Sequence, residues 1–203
     1  MKDYQAVLFD FDGVLVDSEP VHFACWQEIL APYRITLDWD YYEQNCIGVS
    51  DRAMIATLVP LANPSVEFDE IYAQYPRKKA LFRDRMLAQP AIYEPTMELV
   101  RSLDGYKRAV VTSSGRTEVE PILDKLGLLP HLDATVFGGD VERLKPAPDP
   151  YLRAASLLGI TRALVVEDSE AGIASGQAAG FDVVRITHAR DVAQLVRDAL
   201  RKT

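Results

Sequence analysis

Short apolar runs alternate along most of the chain with longer stretches whose apolar positions recur at helical spacing. The runs Ala6–Asp10, Ala109–Thr112, Ala134–Phe137, Ala163–Glu167 and Val183–Ile186 are rich in Val, Ile, Leu or Ala and are bounded by turn residues, which predicts β-strands. Helical patterns follow near 94–104, 117–126, 150–159, 170–179 and 190–202. Thr117 and Glu120 read as a capping box for the second of these, with Pro121 removing its first internal hydrogen bond. Alternation of this kind predicts a parallel sheet with helices on both faces, a Rossmann-like α/β core. In such sheets ligands gather at the carboxyl ends of the strands.

The alternation breaks between Asp17 and about Pro90. Helical patterns there cover Val21–Leu30, Asp51–Leu58 and a charged stretch from Glu67 to Leu87, which includes Arg77, Lys78, Lys79, Arg83, Asp84 and Arg85. Such a charge run reads as a solvated helix face. The expected organisation is a core formed by 1–16 and 91–203, interrupted by an all-helical cap at 17–90. Its place directly after the first strand suggests a lid that excludes water and supplies substrate contacts.

The strand ends carry the chemistry. Asp10 and Asp12 close the first run, spaced i and i+2, and strand geometry would place their Cα atoms about 6.6 Å apart on one side. One carboxylate could attack a centre while the other serves a leaving group. On its own, Asp12-Gly13 is also an ordinary turn signal. The second segment, Thr112-Ser113-Ser114-Gly115-Arg116, brings hydroxyls and backbone amides to the start of a helix, an arrangement suited to phosphate oxygens. Lys145 is followed by Pro146, which biases it away from helix and stiffens its loop. A further strand ends at Glu167-Asp168. These acids would crowd those of the first strand, and unit charges ~4 Å apart repel by about 4 kcal/mol at an effective dielectric near 20. A cation is needed, and oxygen-only donors point to a hard divalent ion, Mg²⁺.

Charge and composition narrow the partners. The chain has 203 residues, 48% of them hydrophobic, and 22 basic against 30 acidic residues give a net charge of −8. An acidic surface repels a phosphate backbone, so a nucleic-acid partner is not expected. No apolar stretch is long enough to span a membrane and no signal-peptide pattern opens the chain, so a cytoplasmic protein is expected. Cys25 and Cys46 read as free thiols, without a His/Cys cluster for zinc.

The motifs DFDGVLVDS, VVTSS, the lysine of LKPAPDPY and VVEDSEAG, in that order on alternating strands, resemble the haloacid dehalogenase superfamily. More narrowly they resemble its β-phosphoglucomutase-like phosphatases and phosphomutases. The resemblance implies that Asp10 is the nucleophile forming an aspartyl phosphate and Asp12 the general acid/base. It implies phosphate binding by Thr112, charge neutralisation by Lys145, and a metal held by Asp10, the main-chain carbonyl of Asp12, Glu167 and Asp168. Ser113, Ser114 and Arg116 would line the phosphate site, although Gly115-Arg116 replaces that branch's lysine-asparagine pair. In the cap, the resemblance marks His22, Trp26 and Lys78, together with the recognition loop Gly48-Val49-Ser50, as substrate-binding. Where that loop should continue with arginine, Asp51 comes first and Arg52 follows.

The expected activity is a Mg²⁺-dependent phosphatase acting as a monomer on a small phosphorylated metabolite of the sugar-phosphate type. The alternative is a phosphosugar mutase, which shares every core residue and differs in its acceptor. A phosphoacceptor switch of the response-regulator kind also phosphorylates an aspartate on a parallel sheet. It needs no second acid such as Asp12 and no helical cap.

Overall fold

The structure, a computed structural model, describes residues 4–47 and 49–201. The apolar runs form a parallel five-stranded sheet: β1 (Ala6–Phe9), β2 (Lys107–Val111), β3 (Ala134–Val136), β4 (Ala163–Glu167) and β5 (Asp182–Arg185), in the spatial order β3-β2-β1-β4-β5. All residues of β1 and β4 are buried, as expected of central parallel strands covered on both faces.

The chain divides into two compact units, one running through Asp17 and resuming at Pro90, the other spanning Ser18–Gln89. The second unit holds α1 (Glu19–Leu30), α2 (Trp39–Asn45), α3 (Asp51–Leu58), α4 (Phe68–Tyr72) and α5 (Tyr75–Ala88). Trp26, Ile29, Leu30, Met54, Ile55, Leu58 and Ile71 belong to its core. The predicted pattern from Glu67 to Leu87 is two helices. α4 opens with a capping box between Glu67 and Glu70, and α5 restarts with Pro76 in its first turn, where the missing N–H costs nothing. α2 carries no sequence expectation; it is seven residues long, buries Tyr42 and is capped by Asp38, which accepts from the Tyr41 N–H at 2.8 Å.

The first unit adds α6 (Glu94–Ser102), α7 (Arg116–Lys125), α8 (Asp149–Leu158), α9 (Glu170–Ala178) and α10 (Val192–Arg201). The expected Thr117/Glu120 capping box does not form. The N-cap is Gly115, and its carbonyl accepts from both Glu118 and Val119, so the first internal bonds are intact and Pro121 lies further into the helix. Glu120 instead pairs with Arg116 one turn back, at 3.0 Å.

Register places the site. Phe9 pairs with Val110 on one side and Val166 on the other, so the residues just beyond these strands are brought to one edge. From β1 the chain builds outward through β2 and β3, then crosses to β4 and β5 on the other side. That reversal is the switch point where open α/β sheets form their binding crevice. The chain leaves and re-enters this unit side by side: the Asp17 N–H donates to the Ala91 carbonyl at 2.7 Å, and the Tyr93 hydroxyl to Asp17 Oδ2 at 3.0 Å. Among the described residues no helix is long and apolar enough to cross a membrane.

Candidate active site

The first strand stops at Phe9, one residue earlier than the apolar run predicts, so both opening acids lie in the turn beyond it. The Asp10 N–H still donates to the Val166 carbonyl at 3.0 Å, which pins Asp10 beside the end of β4. Phe11, Val14, Leu15 and Val16 are buried, and the Leu15 and Val16 N–H groups return to the Phe11 carbonyl. An apolar footing of this kind lets a turn carry acids without moving.

Asp10, Glu167 and Asp168 offer carboxylate oxygens that lie within 4.8 Å of one another. Facing them, Lys145 uses all three of its donors: to Asp10 Oδ1 at 2.8 Å, to Glu167 Oε1 at 2.6 Å and to the Val111 carbonyl at 2.9 Å. Burial, and then the neighbouring charge of Glu167, push the Asp10 carboxyl well above the ordinary aspartate range, with Lys145 only partly offsetting them. Burial alone would lower Lys145, but Asp10 and Glu167 outweigh it and raise its pKa above the ordinary lysine value. One ammonium against three carboxylates leaves an excess of negative charge.

The donor set fits a hard cation. All of its atoms are oxygens, as Mg²⁺ prefers, and the backbone makes room for them. Gly13 has a φ of +70°, and a Cβ there would lie 2.0 Å from Asp168 Oδ2. Only glycine allows both the turn and that approach.

Glu167, expected as a metal ligand, is one of the three clustered carboxylates and also accepts several hydrogen bonds. Its side chain is fully buried, and protein donors reach both oxygens: Oε1 accepts from Lys145 and from the Tyr151 hydroxyl at 2.7 Å, and Oε2 from the Ser169 hydroxyl at 3.2 Å and from the N–H groups of Asp168 and Ser169. Ser169 also caps α9 by accepting from the Gly172 N–H at 3.0 Å. A Cβ at Gly172 would lie 1.9 Å from Glu167 Oε1, so α9 packs this closely only because that residue is glycine.

Asp12 is handled apart from Asp10. Its Oδ2 accepts from the Ser114 hydroxyl at 2.9 Å. Ser114 is therefore tied to Asp12, while its N–H donates to Thr112 Oγ1 at 3.0 Å. Thr112 is buried at the end of β2, and its own N–H donates to the Val136 carbonyl. Ser113 is exposed, and a Cβ at Gly138 would lie 2.3 Å from its carbonyl oxygen, so the β3 end presses on this loop. Arg116, expected to bind substrate, pairs with Glu120 and Asp140 and lies over the Phe137 ring at 4.3 Å. Asp140 in turn accepts from the Phe137 N–H at 2.9 Å. The guanidinium thus braces α7 against the end of β3.

The insert has its own cluster. Lys78, although inside the charge run read as solvated, is buried: its Nζ lies 2.9 Å from His22 Nδ1, 3.7 Å from Asp51 Oδ1, and over the rings of Trp26 and Phe82. The Trp26 indole N–H donates to the same Asp51 oxygen at 3.1 Å, and His22 stacks on Phe82. Asp51, at the position where the resemblance expects arginine, thus offsets the lysine's charge. Arg52 is exposed, with its guanidinium over Phe68 and Tyr72. Together with Ser50, Ala53, Ala56 and Phe68 it lines a cavity of about 430 Å³. Ser50 is the N-cap of α3, accepting from the Ala53 N–H, and Val49 is exposed; Gly48, expected in the same loop, lies outside the described residues.

A parallel sheet with a lysine-bridged carboxylate cluster and a hydroxyl-bearing loop at one edge defines the class of α/β enzymes that handle phosphate at strand ends. Residues 7–186 match the family model described as haloacid dehalogenase-like hydrolase, and the chain belongs to that family. It is 32% identical to the fructose-1-phosphate phosphatase of Escherichia coli, over 90% of this chain and 96% of that protein. It is 29% identical to a phosphorylated carbohydrates phosphatase of Thermotoga maritima, over 88% of this chain and 82% of the relative. The crystal structure of β-phosphoglucomutase from Clostridium difficile shares the fold, with a TM-score of 0.75 at 17% identity, over 98% of each chain.

Proposed function

We propose that this protein is a Mg²⁺-dependent phosphatase of a small phosphorylated metabolite, of the sugar-phosphate class, working through an aspartyl phosphate on Asp10. The observation that carries the reading is the unequal treatment of the two opening acids. Asp10 sits in the lysine-bridged cluster, whereas Asp12 Oδ2 accepts from the Ser114 hydroxyl. A nucleophilic carboxylate needs positive charge beside it as it meets a phosphoryl group, and a second carboxylate at the same edge can carry the proton.

In this reading an Asp10 oxygen attacks phosphorus, and the P–O bond to the leaving alcohol breaks as Asp12 gives that oxygen its proton. Asp12, now ionised, takes a proton from water as the water attacks the acyl phosphate. Inorganic phosphate departs and Asp10 is restored. Lys145 neutralises the transferring group, and Thr112 with the backbone of the Ser113–Gly115 loop receives its oxygens. Asp10, Glu167 and Asp168, with the Asp12 carbonyl, would hold Mg²⁺, which when bound supplies further positive charge to the phosphoryl oxygens. The relatives named above, both phosphatases of phosphorylated sugars, support water as the acceptor and a sugar phosphate as the substrate.

The test is a panel of phosphorylated metabolites that includes fructose 1-phosphate and β-glucose 1-phosphate, read as released phosphate. Activity is expected with Mg²⁺, absent after exhaustive chelation, and restored by adding the ion back. Full activity in chelator would overturn the metal requirement. With β-glucose 1-phosphate and a sugar bisphosphate primer, glucose 6-phosphate forming faster than free phosphate would make the protein a mutase instead.

A further inference from the structure

Tyr151 is a titratable group buried at the site without a part in the chemistry above. It lies in the first turn of α8, is fully buried, and donates its hydroxyl to Glu167 Oε1 at 2.7 Å. A buried phenol needs such a partner, but this one is shared. The same oxygen accepts from Lys145 at 2.6 Å, and the Lys145 ammonium stands 5.2 Å from the centre of the Tyr151 ring. The ring thus backs the ammonium while the hydroxyl competes with it for one carboxylate oxygen.

We propose that Tyr151 is a positioning residue for phosphoryl transfer, which holds Glu167 so that the Lys145 ammonium is divided between Glu167 and the nucleophile Asp10. Lys145 has three donors, and the Val111 carbonyl fixes one of them. The other two are divided between carboxylates, so how tightly each carboxylate binds sets how much of the cation reaches Asp10. The phenol satisfies part of Glu167 Oε1 and weakens its pull. The two donors at Oε1 and the three at Oε2 leave Glu167 as an anchor for the lysine. Without the phenol, Glu167 draws the ammonium toward itself and Asp10 loses charge neutralisation where the transition state needs it. The loss falls on the chemical step, since Tyr151 has no role in seating substrate.

This inference rests on the aspartyl-phosphate reading, and the experiment separates the two. Initial rates with 4-nitrophenyl phosphate and saturating Mg²⁺ are measured for the wild type, Asp10→Asn, Tyr151→Phe, Glu167→Gln and the Tyr151→Phe/Glu167→Gln double variant. A hydrogen bond to a charged group is worth roughly the free energy of a tenfold rate change, so Tyr151→Phe is expected to lower kcat about tenfold. KM should stay within about twofold, a split that a merely structural role would not produce. In the Glu167→Gln background the further loss on adding Tyr151→Phe should be under about twofold, because the phenol acts through that carboxylate. Tyr151→Phe with wild-type kcat, or independent multiplying losses in the double variant, overturns the proposal. Tyr151→Leu repeats the reading should Tyr151→Phe not fold, and failure of both to fold assigns the hydroxyl to stability and overturns it equally. Activity surviving in Asp10→Asn would instead overturn the functional reading itself.

Discussion

Among the described residues, each unit buries one lysine side chain, and the two are treated in opposite ways. The side chains of Lys145 and Lys78 are both 5% exposed. Lys145 meets two carboxylates and a carbonyl directly, with Asp168 in the same cluster, so the acids outnumber the cation. Lys78 meets one carboxylate at 3.7 Å, one imidazole nitrogen and two aromatic faces. The charge around Lys78 closes on itself; the charge around Lys145 does not. A cluster that stays negative after its own lysine is counted invites a cation, whereas a balanced one needs no further counter-charge. Burial of a charged side chain is therefore weak evidence of chemistry until its partners are counted.

Breaking the first lysine should have the largest effect. Lys145→Met strands three acids and removes the cation from the transferring group, so kcat is expected to fall on the order of a thousandfold. A fall of less than tenfold, with the fold intact by circular dichroism, would mean that the lysine is structural after all. Moving the anchor beneath it should cost less. Gly172→Ala puts a Cβ where Glu167 stands, and the displaced carboxylate should carry Lys145 with it, lowering kcat about tenfold together with the melting temperature. Unchanged kcat and stability would show that Glu167 has room to move. The second lysine should respond differently. Lys78→Met leaves Asp51 and the His22 nitrogen short of a partner at about 1–3 kcal/mol. At roughly 2–4 °C per kcal/mol this shows as a Tm lower by several degrees, with a smaller effect on kcat than Lys145→Met. A Tm unchanged alongside a kcat loss equal to that of Lys145→Met would erase the contrast between the two units.

The sheet and its edge were legible because parallel strands buried on both faces write themselves as continuous apolar runs, and because chemistry-bearing residues follow those runs directly. Asp10, Thr112 and Glu167 needed only the strand ends to be placed. What escaped was whatever depended on partners distant in sequence. The Ser114 hydroxyl reaches Asp12 across the sheet edge, and nothing local to either residue announces it. Glu167 looks like its neighbour Asp168 in sequence, yet the Tyr151 and Ser169 donors make it an anchor. The tyrosine one turn into the helix after Lys145-Pro146 was the available signal, since a buried hydroxyl must find an acceptor. In the insert, Lys78 sits within a run of charges on α5 whose other members include exposed Arg77, and periodicity could not single out the one that turns inward. α2 was too short to show a period, and only the Asp38 cap marked its start.

The central claim is that Asp10 takes the phosphoryl group and Asp12 moves the protons. Acetyl phosphate, whose leaving group needs little protonation, can phosphorylate the nucleophile without the acid. After a brief exposure with Mg²⁺, intact-mass and peptide analysis of Asp12→Asn should show one added phosphate on Asp10, slow to hydrolyse because the incoming water lacks its base. Asp10→Asn should carry none, since an amide cannot form the acyl phosphate. Phosphate found on Asp10→Asn at another residue, or equal labelling of the two variants, would contradict the account.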